Sequence, residues 1–386
     1  MKKFISGFLG VLFLVAMIVF AAILQYFHLL VFWQRITLLL LYLILGILAY
    51  HGIKNRSHLT SIVSIFILIM VVSITSVSSY SIVSLYSALN RMSTTEEGEK
   101  RTASIDEEEL ENHMDEGFHV YISGIDTYGP LATESRSDVN MIVTVNPRTG
   151  QGLITTIPRD SYVRIADGGH DQYDKLTHSG NYGVFSSIHT LENLFEINIP
   201  YYARVNFDSL IRVVDALGGI DIYNASTFRA GGVTFKQGHI HLDGKSALIY
   251  ARDRKHQADG ELERGRNHVV LLKAIIDKCL SPAILANAQE LMGIMAEDVQ
   301  TNMPAALLTQ LINNQLSSGT RWNFGSAQVK GEGRMDLPSY AMPYNQLFMY
   351  ELDSDSVQSI GRQMRQLAPS SDYKGSGSSG QGERED

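Results

Sequence analysis

A single cysteine, Cys279, stands in 386 residues, so the chain cannot form an internal disulfide. It lies in the apolar run Val269–Leu280, where a thiol packs like a small hydrophobe. Histidine occurs 12 times but never with His-Glu-x-x-His or similar spacing, which argues against zinc. A helix-turn-helix segment and a basic stretch are both missing, so nucleic acid is not an expected partner. Charge is absent from three long segments. Phe4–Leu24 runs 21 residues without it, Ser61–Val83 runs 23 and Ile36–Ile53 runs 18. A helix needs about 20 apolar residues to cross a hydrocarbon core, so three membrane spans are predicted, at about 4–24, 36–53 and 61–83.

Lys2, Lys3, Lys54 and Arg56 fall on one side of these spans, whereas the loop Gln25–Arg35 carries one arginine. Basic residues in short loops stay cytoplasmic, which places the N-terminus inside and everything after about Ser84 outside. The first run exceeds a signal-peptide core of about 7–15 residues, so it is read as an uncleaved anchor in a multi-pass protein of the cell membrane.

The formal net charge of −8 hides a local excess: ten acidic against three basic residues between Arg91 and Glu116, without an aromatic. Such a stretch buries too little apolar surface to fold alone, so 87–117 reads as an acidic solvated stalk with a helical turn around Glu107–Glu111. From Phe118 the pattern is α/β. Strands are predicted at Phe118–Ile125, Asn140–Val145, Gly152–Ile157, Tyr201–Val205 and Ile220–Tyr223. The stretch 146–150 should turn between the second and third of these. Helices are predicted at Ser186–Phe195, Ser209–Leu217 with Gly218-Gly219 stopping it, Gly265–Leu280 and Ser356–Leu367. The domain is therefore set at 118–368, and the Ser/Gly-rich remainder, 369–386, is read as a disordered tail.

Arginines recur beside aspartates in short motifs. Arg136 and Asp138 precede a strand; Arg159 and Asp160 follow one; Arg252 and Arg254 flank Asp253; Arg264 and Arg266 bracket Gly265 at the start of the long helix. Guanidinium forks match phosphate oxygens and a helix N-terminus favours an anion, so the set suits pyrophosphate. Singly, each pair also fits an ordinary surface ion pair worth about 0–1 kcal/mol. Asp126 and Asp138 offer hard oxygen ligands for Mg2+, or alternatively cap turns. Leu191, Leu194, Val205, Phe207, Leu210, Val214 and Leu217 could line an apolar cavity or simply fill the core.

The sequence resembles the LytR-CpsA-Psr (LCP) family from about Phe118 to Leu367. The resemblance rests on Gly124-Ile125-Asp126, Arg136-Ser137-Asp138, Ile157-Pro158-Arg159-Asp160, Asp174-Lys175-Leu176, the run Val214 to Ile220, His241-Leu242-Asp243-Gly244 and the run Tyr250 to Arg254. It implies an α/β/α domain with a central mixed sheet that holds a polyprenyl-pyrophosphate-linked glycan, the lipid tail in an apolar pocket. It further implies that Asp126 and Asp138 coordinate Mg2+, that Arg136, Arg159, Arg252, Arg254 and Arg264 contact the pyrophosphate, and that a glycan phosphate passes to peptidoglycan. Arg266 joins this set from its position alone.

Three spans resemble the CpsA branch, which points to a capsular or exopolysaccharide polymer and makes other capsule-synthesis membrane proteins candidate partners. His268 stands where the family favours glutamine, at i+4 from Arg264 and so on the same helix face, where donation to a phosphate becomes pH-dependent. A stalk of about 30 residues leaves little room for an accessory domain. In the implied reaction Mg2+ and the arginines neutralise the pyrophosphate while a wall hydroxyl attacks phosphorus, with Arg159, Asp138 and Asp160 as the catalytic candidates and either aspartate as proton acceptor. Two alternatives stay open: hydrolysis of the lipid pyrophosphate, and a non-enzymatic membrane regulator.

Overall fold

In this computed structural model the described residues are 105–125, 135–253, 261–281 and 299–369, with scattered positions before residue 88. They belong to two units, Met1–Asn90 with Ala305–Ser317, and Arg91–Pro304 with Ser318–Asp386. In the first unit the described positions are helical, residues 15–22 among them. Phe13 is buried against Met17 and Val71, which joins the first predicted span to the third. Most of the three predicted spans lies outside the described residues, and among the described residues no helix is long and apolar enough to cross a membrane.

The helices are α1 (Glu107–Glu116), α2 (Leu176–Ser179), α3 (Val184–Phe195), α4 (Phe207–Ala216), α5 (Gly244–Arg252), α6 (Glu261–Cys279), α7 (Ala305–Ser318) and α8 (Ser354–Leu367). The main strands are β1 (Phe118–Ile125), β2 (Ser137–Asn146), β3 (Gln151–Ile157), β4 (Tyr162–Ile165), β5 (Gln172–Lys175), β6 (Tyr201–Val205) and β7 (Ile220–Asn224). After them come β8 (Phe228–Ala230), β9 (Val233–Phe235), β10 (Gly238–Leu242), β11 (Gln300–Thr301), β12 (Asn323–Gln328), β13 (Gly331–Arg334) and β14 (Met349–Leu352).

Six strands make a mixed sheet in the order β11-β6-β1-β2-β3-β12. Pairs β1/β6 and β3/β12 are parallel, the others antiparallel. Alternation along the strands sends side chains to two layers. Tyr121, Ile142, Leu153 and Ile157 pack with Ile188, Leu191 and Phe195 of α3 and Val357, Ile360 and Met364 of α8. Met141, Val143 and Ile154 pack on the opposite face with Val269 of α6. The result is the expected α/β/α sandwich, and each fully buried Leu, Ile or Phe in it stabilises by about 1.5–3 kcal/mol.

Local chemistry accounts for several boundaries. Between β2 and β3, Asn146 Oδ1 accepts from the Thr149 amide at 3.1 Å, and Gly150 closes the turn at φ +65°. Gly218 and Gly219, at φ +72° and +80°, end α4, and the Gly219 amide donates to Val214 O at 2.9 Å. The acidic stretch needs a correction at its end. Asp106 caps α1 by accepting from the Glu109 amide at 2.8 Å, and α1 turns its His113 inward. That ring sits edge-on to Phe118 and Tyr201, so residues 107–116 pack onto the domain, the acidic face outward and the imidazole inward.

A second cluster lies beyond the sheet. Val214 of α4, Ile220 and Ile222 of β7, Leu242 of β10 and Tyr250 of α5 bury one another with Phe228 and Phe235 of the β8/β9 hairpin and Leu271 of α6. Thus α6 belongs to both cores and fixes one against the other. The candidate lipid-lining residues divide accordingly. Leu191 and Leu194 belong to the α3 layer, Val214 and Leu210 to the second cluster and Leu217 to a third. In these clusters the five contribute to the packed core.

Candidate active site

β3 ends at Ile157, and Pro158 opens a tight turn in which the Ser161 amide and hydroxyl both donate to Pro158 O, at 3.0 and 2.6 Å. The turn is pinned from outside as well. Arg159 O accepts from the Thr177 amide at 2.9 Å, and Asp160 O from the Tyr350 amide at 2.8 Å. Arg159 is thereby presented at a strand end from a backbone with little freedom, which suits a residue that must meet a ligand in one geometry.

Its Nη1 donates to Asp138 Oδ1 at 2.7 Å, and its Nε lies 3.6 Å from Asp160 Oδ2. Lys175 completes the row, Nζ donating to Asp160 Oδ1 at 2.7 Å. These side chains are a quarter exposed or less, so water screens them only in part.

Across the cleft the first turns of α6 approach the sheet. A Cβ on Gly265 would stand 2.6 Å from Gln328 Nε2 and 3.3 Å from Thr156 Oγ1, so glycine permits this approach. Gln328 Nε2 donates to Leu262 O at 2.8 Å and ties β12 to α6. The open cleft between is lined by Asp138, Asn140, Thr156, Arg159, Arg264, Gly265, His268 and Gln328, with Val139, Ile157 and Pro158. Arg264 is buried there, and Arg264 and His268 both face the cleft as their four-residue spacing required. His268 Nε2 donates to Ala251 O at 3.1 Å and Asn267 Nδ2 donates to Tyr250 O at 3.2 Å, so α5 is stapled to α6 directly behind the site. A carbonyl only accepts, so neutral His268 carries its proton on Nε2.

A buried polar layer supports the floor. Tyr121 donates to Asn140 Oδ1 at 2.6 Å, Asn140 Nδ2 donates to Ser137 O at 3.1 Å, and the Ser123 and Ser137 hydroxyls are 2.8 Å apart. Burial raises the Tyr121 phenol above its ordinary value, against the opposing pull of its hydroxyl neighbours, so it remains a neutral donor.

The structure thus brings together Asp138, Arg159, Arg264 and His268, with Asp160 on the flank. Others stand apart. Arg266 points outward and pairs with Glu263 at 2.8 Å, because two residues from Arg264 is about 200° around a helix. The Arg252 guanidinium lies 4.5 Å from the centre of the Phe207 ring, outside the cleft lining. Arg136 is exposed just before β2. Asp126 and Arg254 lie outside the described residues. Asn140, Thr156 and Gln328 are additions that sequence reasoning missed, and Lys175, seen only as part of a motif, was given no role.

Mg2+ takes one or two carboxylates, waters and substrate phosphates. Among the described residues no group of three or more His, Cys, Asp and Glu forms a ligand cluster. Asp138 nevertheless fits such a site: it lines the cleft, one oxygen receives Arg159, and the other accepts no hydrogen bond among the described residues.

A three-layer α/β domain whose cleft presents arginines and one carboxylate at a strand end is a class suited to a phosphorylated ligand. The LytR_cpsA_psr family matches residues 79–366, and the chain belongs to that family. Among relatives, the polyisoprenyl-teichoic acid–peptidoglycan teichoic acid transferase TagU of Oceanobacillus iheyensis is 33% identical over 51% of this chain, which spans 62% of that protein. TagU of Bacillus subtilis strain 168 is 27% identical over 73% of this chain and 87% of its own length. The crystal structure of B. subtilis TagV superposes with a TM-score of 0.56 at 26% identity, covering 65% of this chain and 97% of that one. TagT bound to LI-WTA superposes at 0.51 with 27% identity, covering 65% and 90%.

Proposed function

We propose that this protein is a membrane-anchored transferase that moves a phosphate-linked glycopolymer from a polyprenyl-pyrophosphate carrier onto peptidoglycan. The observation that carries this reading is the cleft in which Arg159, paired with Asp138, faces Arg264 and His268. Forked cations in a partly desolvated cleft stabilise charge that develops on a transferring phosphoryl group, and little else is needed for such chemistry. An acceptor hydroxyl attacks the phosphorus next to the glycan, the bond to the polyprenyl phosphate breaks, and the hydroxyl proton passes to a carboxylate. Asp138 faces the cleft and is the better placed acceptor. Asp160, held by Lys175 and Arg159, positions the turn.

Mg2+, held by Asp138 and, as the family resemblance implies, Asp126, would supply further neutralisation of the pyrophosphate. The relatives' names favour a teichoic acid over the capsular polymer suggested by three spans. The uncharged runs before residue 84 support anchoring in the cell membrane with this domain outside. The test is transfer of label from a radiolabelled polyprenyl-pyrophosphate oligosaccharide to peptidoglycan fragments by the detergent-purified chain, with and without Mg2+. Label on the acceptor only with the metal and intact Arg159 and Asp138 is the expected result. Free labelled oligosaccharide phosphate would replace transfer by hydrolysis, and no turnover would return the protein to the regulator reading.

A further inference from the structure

The segment 335–348 carries more exposed apolar surface than its neighbours: Met335, Tyr340, Met342 and Phe348 are each at least 40% exposed and Tyr344 is 98% exposed. It is not a loose loop. Asp174, buried on β5, accepts from Ser339 Oγ at 2.8 Å and from the Ala341 amide at 2.7 Å, while His178 Nδ1 and the Lys175 amide hold the same carboxylate at 2.9 and 2.7 Å. The Met342 amide then donates to Ser339 Oγ at 3.1 Å, and the Asn345 amide to Met342 O at 3.0 Å. A pinned backbone loses little entropy when its side chains bind, and exposed apolar surface gathered in one short segment marks a contact site.

Residues from other segments extend the patch. The His170 ring lies edge-on to Tyr340 at 6.4 Å, and two residues before His170, Gly168 carries the ring of Tyr182, itself exposed, packed over its backbone. Chain connections tie the segments that carry the patch to the turns beside the cleft. Gly180 O, two residues before Tyr182, accepts from the Ser135 amide at 3.1 Å beside Arg136, and Lys175, next to Asp174, reaches Asp160.

We infer that Tyr340, Tyr344, Met342 and Tyr182 form a platform for the sugar rings of the peptidoglycan acceptor strand. The inference rests on the transferase reading and adds where the acceptor lies. A pyranose presents apolar C–H faces that sit on aromatic faces, and tyrosine adds a hydroxyl at the rim. Charge speaks against two other occupants. Segment 331–348 holds no lysine, and its one arginine, Arg334, is clamped by Asp336 at 2.7 Å and Glu351 at 2.6 Å. A polyphosphate donor or an anionic lipid surface would instead call for available basic groups.

Binding of peptide-free peptidoglycan glycan chains to the full-length protein in detergent tests this, with donor binding measured in parallel. Tyr340→Ala and Tyr344→Ala should each weaken the glycan about 3- to 10-fold, as lost aromatic stacking implies. Tyr344→Phe should retain it, and donor affinity should stay unchanged throughout. Arg159→Ala should do the reverse. Unaltered glycan affinity in both alanine variants would overturn the platform. So would quenching by nitroxide lipids of a dye placed at Tyr344→Cys in a Cys279→Ser background, since that would put the loop in the bilayer. Binding is read without turnover, so absent transfer by a protein that still binds glycan through these tyrosines would strike the transferase reading alone.

Discussion

Arg159 Nη1 lies 2.7 Å from Asp138 Oδ1, joining the turn after β3 to the first residues of β2 at the wall of the cleft. Both side chains are partly wet, so their mutual attraction adds only about 0–1 kcal/mol to stability. The pair matters for what it presents to a ligand. Arg159→Ala and Asp138→Ala should each lower transfer by about 100-fold or more while leaving the unfolding midpoint nearly where it was. Arg159→Lys should fall between, because an ammonium keeps the charge and loses the fork. Steady-state transfer rates and thermal melts of the same preparations check both halves, and a melt that collapses in parallel with activity would make the pair structural.

How much of this was legible is best seen residue by residue. β1 and β6 were bounded to the residue because each is rich in β-branched and aromatic residues and lies between breakers, Gly117 and Asp126 for one, Pro200 and Asn206 for the other. Arg264 and His268 were readable as one face from spacing alone, and the same arithmetic, applied to Arg266, would have turned it outward. For Arg252 the motif records sequence order and says nothing of the Phe207 ring beneath it. Asn140, Thr156 and Gln328 carry no charge to attract notice, and their roles depend on a parallel pairing of β3 with β12 across more than 160 residues of chain. α5 went unread because it opens on Gly244, a poor helix former, although Asp243 caps it by accepting from the Ser246 amide. Asp174-Lys175 was noticed as a motif, but its two side chains go opposite ways, one into a buried latch and one to the site.

Buried His119 predicts acid sensitivity. Its Nδ1 is 2.9 Å from Thr144 Oγ1, and burial, aided by the positive charge of Arg365, pushes its pKa down to about 3. In the unfolded chain the ring titrates near 6.5. Between those values the unfolded state binds a proton that the folded state refuses, so stability declines as pH falls from about 6.5 toward 3, by an amount on the order of a few kcal/mol. His119→Gln should flatten that slope. Melting temperatures of both proteins from pH 7 to pH 4 decide it, and parallel curves would refute the assignment.

Gly265 predicts a loss of function without a loss of stability. An added methyl would meet the end of the Gln328 side chain, a flexible group that can swing away, and alanine is the better helix former by about 1 kcal/mol. Gly265→Ala should therefore melt at or slightly above the wild-type temperature. Displaced from its bond to Leu262 O, the Gln328 amide would intrude on the cleft, and donor affinity should fall several-fold. Equilibrium binding of the pyrophosphate donor together with a melt separates the two effects; unchanged affinity would show that the cleft tolerates the methyl.

Asp174 predicts a second and more acidic transition. Burial alone would raise its carboxyl, but hydrogen bonds from His178 and from the Ala341 and Lys175 amides outweigh this and hold it below the usual range. A depressed carboxylate contributes stability that is fully present above its unfolded value of about 3.9 and is lost as pH falls through the folded one. This loss therefore sets in below about pH 4, at the acid end of the His119 window. Asp174→Asn turns an all-acceptor group into one that must point an amide at donors, and should cost about 2–4 kcal/mol at neutral pH. It should also free the segment that Ser339 and Ala341 pin. Limited proteolysis gives the readout: cleavage within 335–348 should appear in Asp174→Asn before the domain melts, and cleavage that begins only with global unfolding would mean that the carboxylate holds the core and does not hold the loop.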